Sequence, residues 1–272
     1  MSGGDWLEAA LTSAGLDTVD GAFAYDRGQD LVKPALGSRR RTRIDLVDPA
    51  GRPCRLFMKR YGPEGFWARL RRAWTYGGGK GPAAVEADNI RRARAAGVRT
   101  MQVLRCGEDR SGPSGPRGYL VVTAVPGEAL ERCAEGYLSR GGEQAGATLA
   151  DRLAELVAAL HAAGYVHRDL YASHVFLHES PGGVELHLVD LARMFSPRRR
   201  AFRWRVKDLA QLRFSMPPAW VERHWDAFLR RYLAGTGEGR AAWYNRAVER
   251  KAGAIAHHDA RRQARLHKRS AE

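Results

Sequence analysis

The chain has 272 residues, 44% of them hydrophobic, which is enough to bury a sizeable core in one domain or in two joined lobes. Its formal net charge of +15 calls for an anionic partner or well-solvated basic faces, and nucleic acid, a membrane surface or a phosphorylated substrate would fit. No apolar run approaches the roughly 20 residues of a membrane-spanning helix. The three cysteines form no motif and the N-terminus lacks a signal-peptide pattern, so we expect reduced thiols and a cytoplasmic protein.

Strands dominate the first half of the chain. Alternating apolar and polar residues predict a hairpin around the turn sequence Asp48–Gly51. A helix follows, for which Gly97 is the expected stop. Pro126 begins a Pro-Gly pair that we take as the boundary between two lobes, residues 1–126 and 127–272. The predicted elements of this half are strands over 42–47, 52–61, 101–106 and 119–125 and a helix over 83–96.

Helices dominate the second half. Apolar residues fall at helical spacing over residues 148–163, and Gly164 ends that pattern. The remaining predicted elements are short strands over 175–177 and 184–189 and helices over 206–214, 218–233 and 240 to the end.

Four residues have the chain order that protein kinases use for phosphoryl transfer. Lys59 lies late in the second strand and Glu86 early in the following helix, as suits a lysine that reaches the phosphates and a glutamate that holds it. Asp169 lies in His-Arg-Asp after the apolar helix, and Asp190 ends the strand at 184–189. Each residue alone has an ordinary explanation, as a solvated or turn residue. Their order and spacing favour a kinase.

The segments around these residues resemble the lipopolysaccharide kinase family. The resemblance rests on FMKRY, HRDLYASHVFL, LVDLAR, RWRVKDLAQLRFS and the basic aromatic insert after the strand lysine, and it covers roughly residues 30–235. It implies an α+β, bilobal protein-kinase-like fold, with an antiparallel N-lobe sheet, one N-lobe helix and a mainly helical C-lobe. It also implies a kinase that uses ATP and Mg²⁺ to phosphorylate a sugar of the lipopolysaccharide inner core. Tyr171 and His174 are more typical of heptose kinases than of Kdo kinases.

The resemblance implies a role for each residue. Asp169 would orient the attacking hydroxyl, and Lys59 and Glu86 would complete the catalytic set. Asp190 would bind the metal ion. His174 stands where protein kinases have a metal-binding asparagine, and it either binds metal or only orders the loop.

Two further regions have implied roles. The backbone near Thr123 and Val125 would bind adenine, because that strand leads into the lobe boundary. Asp208, in KDLAQL, either braces the loop that carries His-Arg-Asp, here called the catalytic loop (residues 167–174), or caps a helix. Asp88 and Asn89 are expected to be solvated.

Three departures from the protein-kinase pattern bear on the substrate. No G-x-G-x-x-G loop is present; only Gly37 lies near its expected place, and Arg39–Arg41 would substitute side chains for backbone amides. Asp-Leu-Ala replaces Asp-Phe-Gly after the second strand of the pair. No Ala-Pro-Glu follows Asp190, which disfavours a peptide platform and favours a small or sugar substrate.

The insert after Lys59 alternates aromatic and basic residues. It predicts either a helix that packs its aromatics on the N-lobe or an interfacial helix on anionic lipid. The basic tail RRQARLHKRS suits an electrostatic tether. We therefore expect as partners the lipopolysaccharide core or its lipid-linked precursor and the cytoplasmic face of the inner membrane, and no nucleic acid, since no motif supports it. Another kinase of this fold and a catalytically silent kinase-like protein remain alternatives.

Overall fold

The structure is a computed structural model that describes residues 5–31, 39–110, 116–239 and 241–271, with the side chains of Arg39 and of 266–271 left undescribed. The chain divides into two compact units. The first comprises the described residues of Met1–Arg92 and Met101–Ala124, and the second those of Ala93–Thr100 and Val125–Glu272. Within the described ranges, no helix combines the length and the hydropathy that crossing a bilayer requires.

The first unit contains a five-stranded antiparallel sheet with strand order β1-β2-β3-β5-β4. The hairpin of β2 and β3 is confirmed, with Val47 opposite Pro53 across the turn. The expected sheet and its following helix are both present, and three further helices (α1, α2 and α3) accompany them. The elements are α1 Asp5–Ser13, α2 Val19–Ala24, β1 Gln29–Asp30, β2 Arg39–Val47, β3 Pro53–Tyr61, α3 Phe66–Tyr76, α4 Pro82–Ala95, β4 Val103–Asp109 and β5 Arg117–Thr123.

The N-terminal helices α1 and α2 pack on one face of this sheet. Leu11 and Leu16 are buried in a cluster with Leu56 and Met58 of β3. The hydroxyl of Tyr119 on β5 donates to the carbonyl oxygen of Leu16 at 2.7 Å. These contacts bury an N-terminal segment in which no helix was predicted.

Arg60 of β3 ties this N-terminal segment to the sheet. Its side chain is 4% exposed, and one guanidinium nitrogen lies 3.1 Å from the carbonyl oxygen of Tyr25, at the C-terminal end of α2. The other contacts Thr42 Oγ1 at 2.6 Å and Asp30 Oδ1 at 3.1 Å. A cation at this end of a helix satisfies carbonyl groups that lack intrahelical partners.

Helix α3 exposes its apolar face. Its inner face is held by Arg72, whose Nε donates to the Lys80 carbonyl oxygen at 2.9 Å and whose guanidinium pairs with Glu64. No residue of α3 is buried. The large apolar side chains are all on the outer face: Phe66 is 68% exposed, Trp67 78%, Leu70 51% and Trp74 92%.

The second unit is built around the helix α5. This helix begins at Leu130, well before the predicted start, and its two segments meet at Gly142, whose φ of 54° and ψ of −138° are not helical. Gly146 allows α5 to approach α7 closely, since a Cβ there would lie 2.1 Å from Nε2 of His224. The elements are β6 Glu128–Ala129, α5 Leu130–Ala162, β7 Val175–Ser180, β8 Gly183–Leu188, α6 Ala201–Ser215, α7 Pro218–Thr236 and α8 Ala241–Ala271.

A three-stranded sheet of order β6-β7-β8 lies in the same unit. The residues from 93 to 100, which comprise the end of α4 and the segment that follows it, also belong to this unit. Leu188 of β8 donates its N–H to the Arg99 carbonyl oxygen at 2.9 Å and accepts the hydroxyl of Thr100 at 2.5 Å. The segment between α5 and β7 carries His-Arg-Asp, and Asp190 follows β8 directly.

Candidate active site

Lys59 and Glu86 form a buried ion pair in the first unit. Side chains alternate along a strand, so Lys59 and Tyr61 of β3 share one face. The ammonium of Lys59 donates to Oε1 of Glu86, and the hydroxyl of Tyr61 donates to Oε2. The Lys59 side chain is 11% exposed and that of Glu86 is fully buried. Removing one partner of such a buried pair lowers the free energy of unfolding by about 3–5 kcal/mol, because the other charge is left uncompensated. Glu86 therefore holds the ammonium of Lys59 in place.

The segment predicted to bind adenine has part of its backbone already engaged. The Thr123 N–H donates to the Gln102 carbonyl oxygen at 3.0 Å, and its hydroxyl accepts the Gln102 N–H at 2.9 Å. The Ala124 N–H donates to the Arg55 carbonyl oxygen at 2.9 Å. Since these amides are committed within the first unit, Val125 is the position in this segment to test for nucleotide contact.

Asp208 braces the catalytic loop, which decides between its two predicted roles. This residue lies inside α6 and is fully buried. Its carboxylate accepts the backbone N–H groups of His167 at 2.6 Å and Arg168 at 2.8 Å. His161 of α5 places Nε2 3.2 Å from the same carboxylate and Nδ1 2.8 Å from the Tyr232 hydroxyl. The loop main chain is therefore held by Asp208 of α6, and that carboxylate is supported in turn by His161 of α5 and, through His161, by Tyr232 of α7.

Arg168 adopts the left-handed backbone conformation, with φ of 74°. This conformation is uncommon for residues other than glycine, so surrounding contacts must stabilise it. Asp208 accepts its backbone N–H and that of His167, and its guanidinium lies over the rings of Phe195 and Trp204, 5.3 and 5.4 Å from their centroids. Asp169, the next residue, directs its carboxylate to Arg193.

His167 is neutral in the fold. Burial lowers the pKa of its imidazole, and the nearby Asp208 carboxylate only partly offsets this effect. Its Nε2 lies 2.9 Å from the Val189 carbonyl oxygen, so Nε2 carries the proton. Within the described residues Nδ1 is buried without a hydrogen-bond partner. A second proton on Nδ1 would add a buried charge and an unsatisfied N–H.

His174 connects the catalytic loop to Asp190. Its Nδ1 lies 2.7 Å from the main-chain oxygen of Asp169 and must donate, since a carbonyl can only accept. In the neutral imidazole the opposite nitrogen, Nε2, presents a lone pair, and this atom lies 3.7 Å from Oδ2 of Asp190. Asp190 itself is in the left-handed conformation with φ of 61°. His174 thus orders the loop, and its remaining nitrogen is beside the predicted metal ligand.

This donor set fits a metal ion shared with a phosphorylated ligand. Within the described part of the chain, no three or more His, Cys, Asp or Glu side chains gather as a metal site. His174 and Asp190 alone offer one nitrogen and one carboxylate, with side chains 26% and 41% exposed. Mg²⁺ in phosphoryl-transfer sites takes one or two protein carboxylates and completes its shell with phosphate and water. The pair suits that arrangement and does not suit an all-protein site.

Asp169 is flanked by two cations. Nη1 of Arg193 lies 2.8 Å from Oδ2 and 3.0 Å from Oδ1 of the carboxylate. Nζ of Lys207 lies 4.0 Å from Oδ1 and donates to the main-chain oxygen of Arg168. Burial lowers the pKa of Lys207, and the Asp169 and Asp208 carboxylates counteract this shift. The negative charge of the Asp169 carboxylate is therefore compensated by both Arg193 and Lys207.

The structure describes only the end of the predicted glycine-poor phosphate loop. Gly37 lies outside the described residues, and so does the side chain of Arg39. The guanidinium of Arg40 pairs with Asp30. Arg41 lies opposite Lys59 in the ladder between β2 and β3.

The sequence interpretation did not single out Tyr61, Arg193 or Lys207. Tyr61 had an available signal, because it is two residues after Lys59 on a strand and so shares its face. Lys207 directly precedes Asp208 in KDLAQL, and Arg193 closes the LVDLAR motif. Neither adjacency shows by itself that both cations reach Asp169.

Comparisons with known proteins agree with this geometry. The model of the lipopolysaccharide kinase (Kdo/WaaP) family matches residues 37–232. The lipopolysaccharide core heptose(I) kinase WaaP of Pseudomonas aeruginosa is 31% identical over an aligned length of 175 residues, and the match covers 59% of this chain and 65% of that protein. The protein of the same name from Escherichia coli is 34% identical over an aligned length of 132 residues, and the match covers 46% of this chain and 50% of that protein.

A solved structure, WaaP in complex with acyl carrier protein, matches with a TM-score of 0.60 and 27% identity. The match covers 88% of this chain and 96% of that one. The expected kinase-like fold is thereby confirmed. The chain spans about two thirds of the Pseudomonas relative and half of the Escherichia relative.

Proposed function

Because the chain belongs to the lipopolysaccharide kinase (Kdo/WaaP) family, we propose that it transfers the γ-phosphoryl group of ATP to a sugar hydroxyl of the lipopolysaccharide core, with heptose as the acceptor. We choose heptose as the acceptor because the curated relatives are named heptose(I) kinases. The observation that carries the proposal is the braced loop that presents Asp169 together with His174 and Asp190.

Each unit supplies its own part of the chemistry. In the first unit, Lys59 holds nucleotide phosphates, and Glu86 keeps its ammonium extended. In the second unit, Asp169 orients the acceptor hydroxyl and takes its proton. Asp190 and His174 would hold Mg²⁺, which would supply positive charge to the phosphate oxygens. Thr123 and Val125 mark the segment that contacts adenine.

The test is ATP-dependent phosphorylation of purified inner-core lipopolysaccharide, with a peptide and an aminoglycoside as competing acceptors. Wild type should phosphorylate the lipopolysaccharide and neither alternative. Asp169→Ala should lose transfer by a factor of about 10³ or more while still binding nucleotide, because the carboxylate acts on the acceptor. Asp226→Ala, a change at an exposed aspartate of α7, is the matched control.

A different acceptor preference would separate this proposal from its alternatives. Phosphorylation of the peptide or the aminoglycoside alone would assign another kinase activity to the same site. Nucleotide binding without turnover on any acceptor would identify a silent kinase-like protein. Full activity of Asp169→Ala would show that the reacting hydroxyl is held elsewhere.

The lipid-linked acceptor suggests a location at the cytoplasmic face of the inner membrane, and α3 offers the contact surface. Its apolar face, made of the four exposed side chains described above, covers about 100° of the helix. Arg69 and Arg71 lie at the two borders of this face, and both are exposed. Since Arg72 anchors the opposite face, the helix is oriented as amphipathic interfacial helices are, with cations beside an apolar stripe.

Vesicle flotation tests this contact. Binding should rise with the fraction of anionic lipid and fall with added salt, because each basic residue near such a surface contributes on the order of 1 kcal/mol. Trp67→Ala combined with Trp74→Ala should reduce binding at least tenfold. Phe214→Ala, at a partly exposed aromatic of α6, should leave it unchanged. Equal binding by the double variant, or binding indifferent to salt, would remove α3 from the membrane contact.

Acyl carrier protein is a further candidate partner, because the solved relative was captured with it. A net charge of +15 favours association with an acidic protein. Co-elution of the purified chain with acyl carrier protein in size-exclusion chromatography at low salt, lost at high salt, would support this partner.

A further inference from the structure

The catalytic loop contains no cation between Asp169 and His174. The intervening residues are Leu170, Tyr171, Ala172 and Ser173. Phosphoryl transfer nevertheless needs positive charge near the equatorial oxygens of the moving group, where negative charge is spread in the transition state. A cation for this task in the second unit must therefore come from outside the loop.

Arg193 lies where such a cation is required. Its Nη1 contacts both carboxylate oxygens of Asp169, at 2.8 and 3.0 Å. The side chain is 54% exposed, and exposed ion pairs of this kind are weak, so the guanidinium can leave the carboxylate at little cost. A guanidinium has five N–H donors in a planar fork, which matches the oxygens of a phosphoryl group.

Lys207 differs from Arg193 in that it is fixed. Its side chain is 26% exposed, and its ammonium donates to the main-chain oxygen of Arg168. The neighbouring Asp208 holds the same loop by accepting the N–H of Arg168. Lys207 thus stays beside Asp169 and compensates the carboxylate when Arg193 moves away.

We propose that Arg193 is a catalytic residue that binds the phosphoryl group during transfer, and that Lys207 is a positioning residue for Asp169. This inference rests on the proposed kinase function. The acceptor oxygen forms its bond to the γ-phosphorus while the bond from that phosphorus to the leaving oxygen of ADP breaks. The hydroxyl proton passes to Asp169. Because the phosphoryl group must meet the hydroxyl that Asp169 holds, it comes within reach of a guanidinium that contacts the same carboxylate.

The experiment compares Arg193→Ala and Arg193→Lys with wild type, with Arg199→Ala as the control at a neighbouring exposed arginine. In Arg193→Ala, kcat should fall on the order of 10²–10³-fold, as for the loss of one charge-stabilising donor, while KM for ATP changes less than about threefold. Millimolar guanidinium or methylguanidinium should raise the kcat of Arg193→Ala about tenfold, because the added cation can occupy the place of the missing side chain. Arg193→Lys should retain part of the activity, and Arg199→Ala all of it.

The contrary results are distinct. Turnover of Arg193→Ala within about threefold of wild type would overturn the inference, and faster turnover would show that Arg193 merely blocks Asp169. A loss that guanidinium does not reverse and that Arg193→Lys shares in full would assign only a structural role. An inactive wild type, by contrast, would mean that the proposed function itself fails. Lys207→Met should lower kcat less than Arg193→Ala and show no rescue by guanidinium.

Discussion

Asp208→Asn is the most direct test of the loop brace. The wild-type carboxylate accepts two buried backbone N–H groups, from His167 and Arg168, at 2.6 and 2.8 Å. Asparagine has the same shape but one acceptor oxygen, so in either orientation its NH₂ faces one of these N–H groups. A hydrogen bond to a charged group contributes about 1.5–3 kcal/mol, and an unsatisfied buried donor adds a similar cost. We expect a loss of about 2–4 kcal/mol.

Two assays measure this loss. Urea unfolding should show a lower midpoint concentration and an unchanged m-value, because the substitution does not alter the surface area that becomes exposed on unfolding. Hydrogen exchange of peptides that contain residues 165–169 should show faster exchange at the two amides, while peptides from the first unit exchange as in wild type. Asp226→Asn, at an exposed position, is the matched control. If Asp208→Asn kept the wild-type midpoint and amide protection, the carboxylate would not be what holds the loop.

Three further predictions follow from the same geometry. Glu86→Gln should lower kcat/KM for ATP by about 10–100-fold because Lys59 loses its counter-ion, as steady-state kinetics would show; an unchanged value would contradict this role. His174→Asn should retain far more Mg²⁺-dependent activity than His174→Ala, because an amide can replace the hydrogen bond to the loop. Stability should fall as the pH drops below about 6.5, since burial lowers the pKa of His167 and of His187 and the unfolded chain then binds more protons. His167→Asn should flatten this slope in pH-dependent urea unfolding, and an unaltered slope would exclude His167 as its source.

The elements that could be predicted from the sequence are those with a strong local pattern. The β2–β3 hairpin follows from its period of two and its turn residues, and Ile44 and Leu56 are buried as that alternation requires. The Lys59–Glu86 pair follows from chain order. The side chain of Asn89 was expected to be solvated, and that prediction is wrong, since the residue is 1% exposed. Its position in the middle of α4, next to Asp88 and two residues before Arg91, carries no local signal of burial.

The first part of α5, from Leu130 to residue 147, was not predicted, because tertiary packing and not local sequence stabilises it as a helix. Glycines disfavour helix, and the stretch from 136 to 146 contains four of them. At Gly146 the missing side chain makes room for His224 of α7, and its carbonyl oxygen accepts the indole N–H of Trp220 at 3.1 Å. Packing against α7 therefore outweighs the low helix propensity. Nothing within residues 130–147 alone reveals that partner.

The order in which segments enter the two units limits how the chain can be divided. Residues 93–100 belong to the second unit although the first unit continues to Ala124. A fragment that ends at Ala124 would expose Val98, which is 2% exposed in the whole chain. The complementary fragment would leave the N–H and carbonyl groups of Leu188 without Arg99 and Thr100. A cut before residue 93 would keep 93–100 with the second unit but would separate β4 and β5 from the other strands of the first sheet, so no single cut yields two fragments that each contain one intact unit.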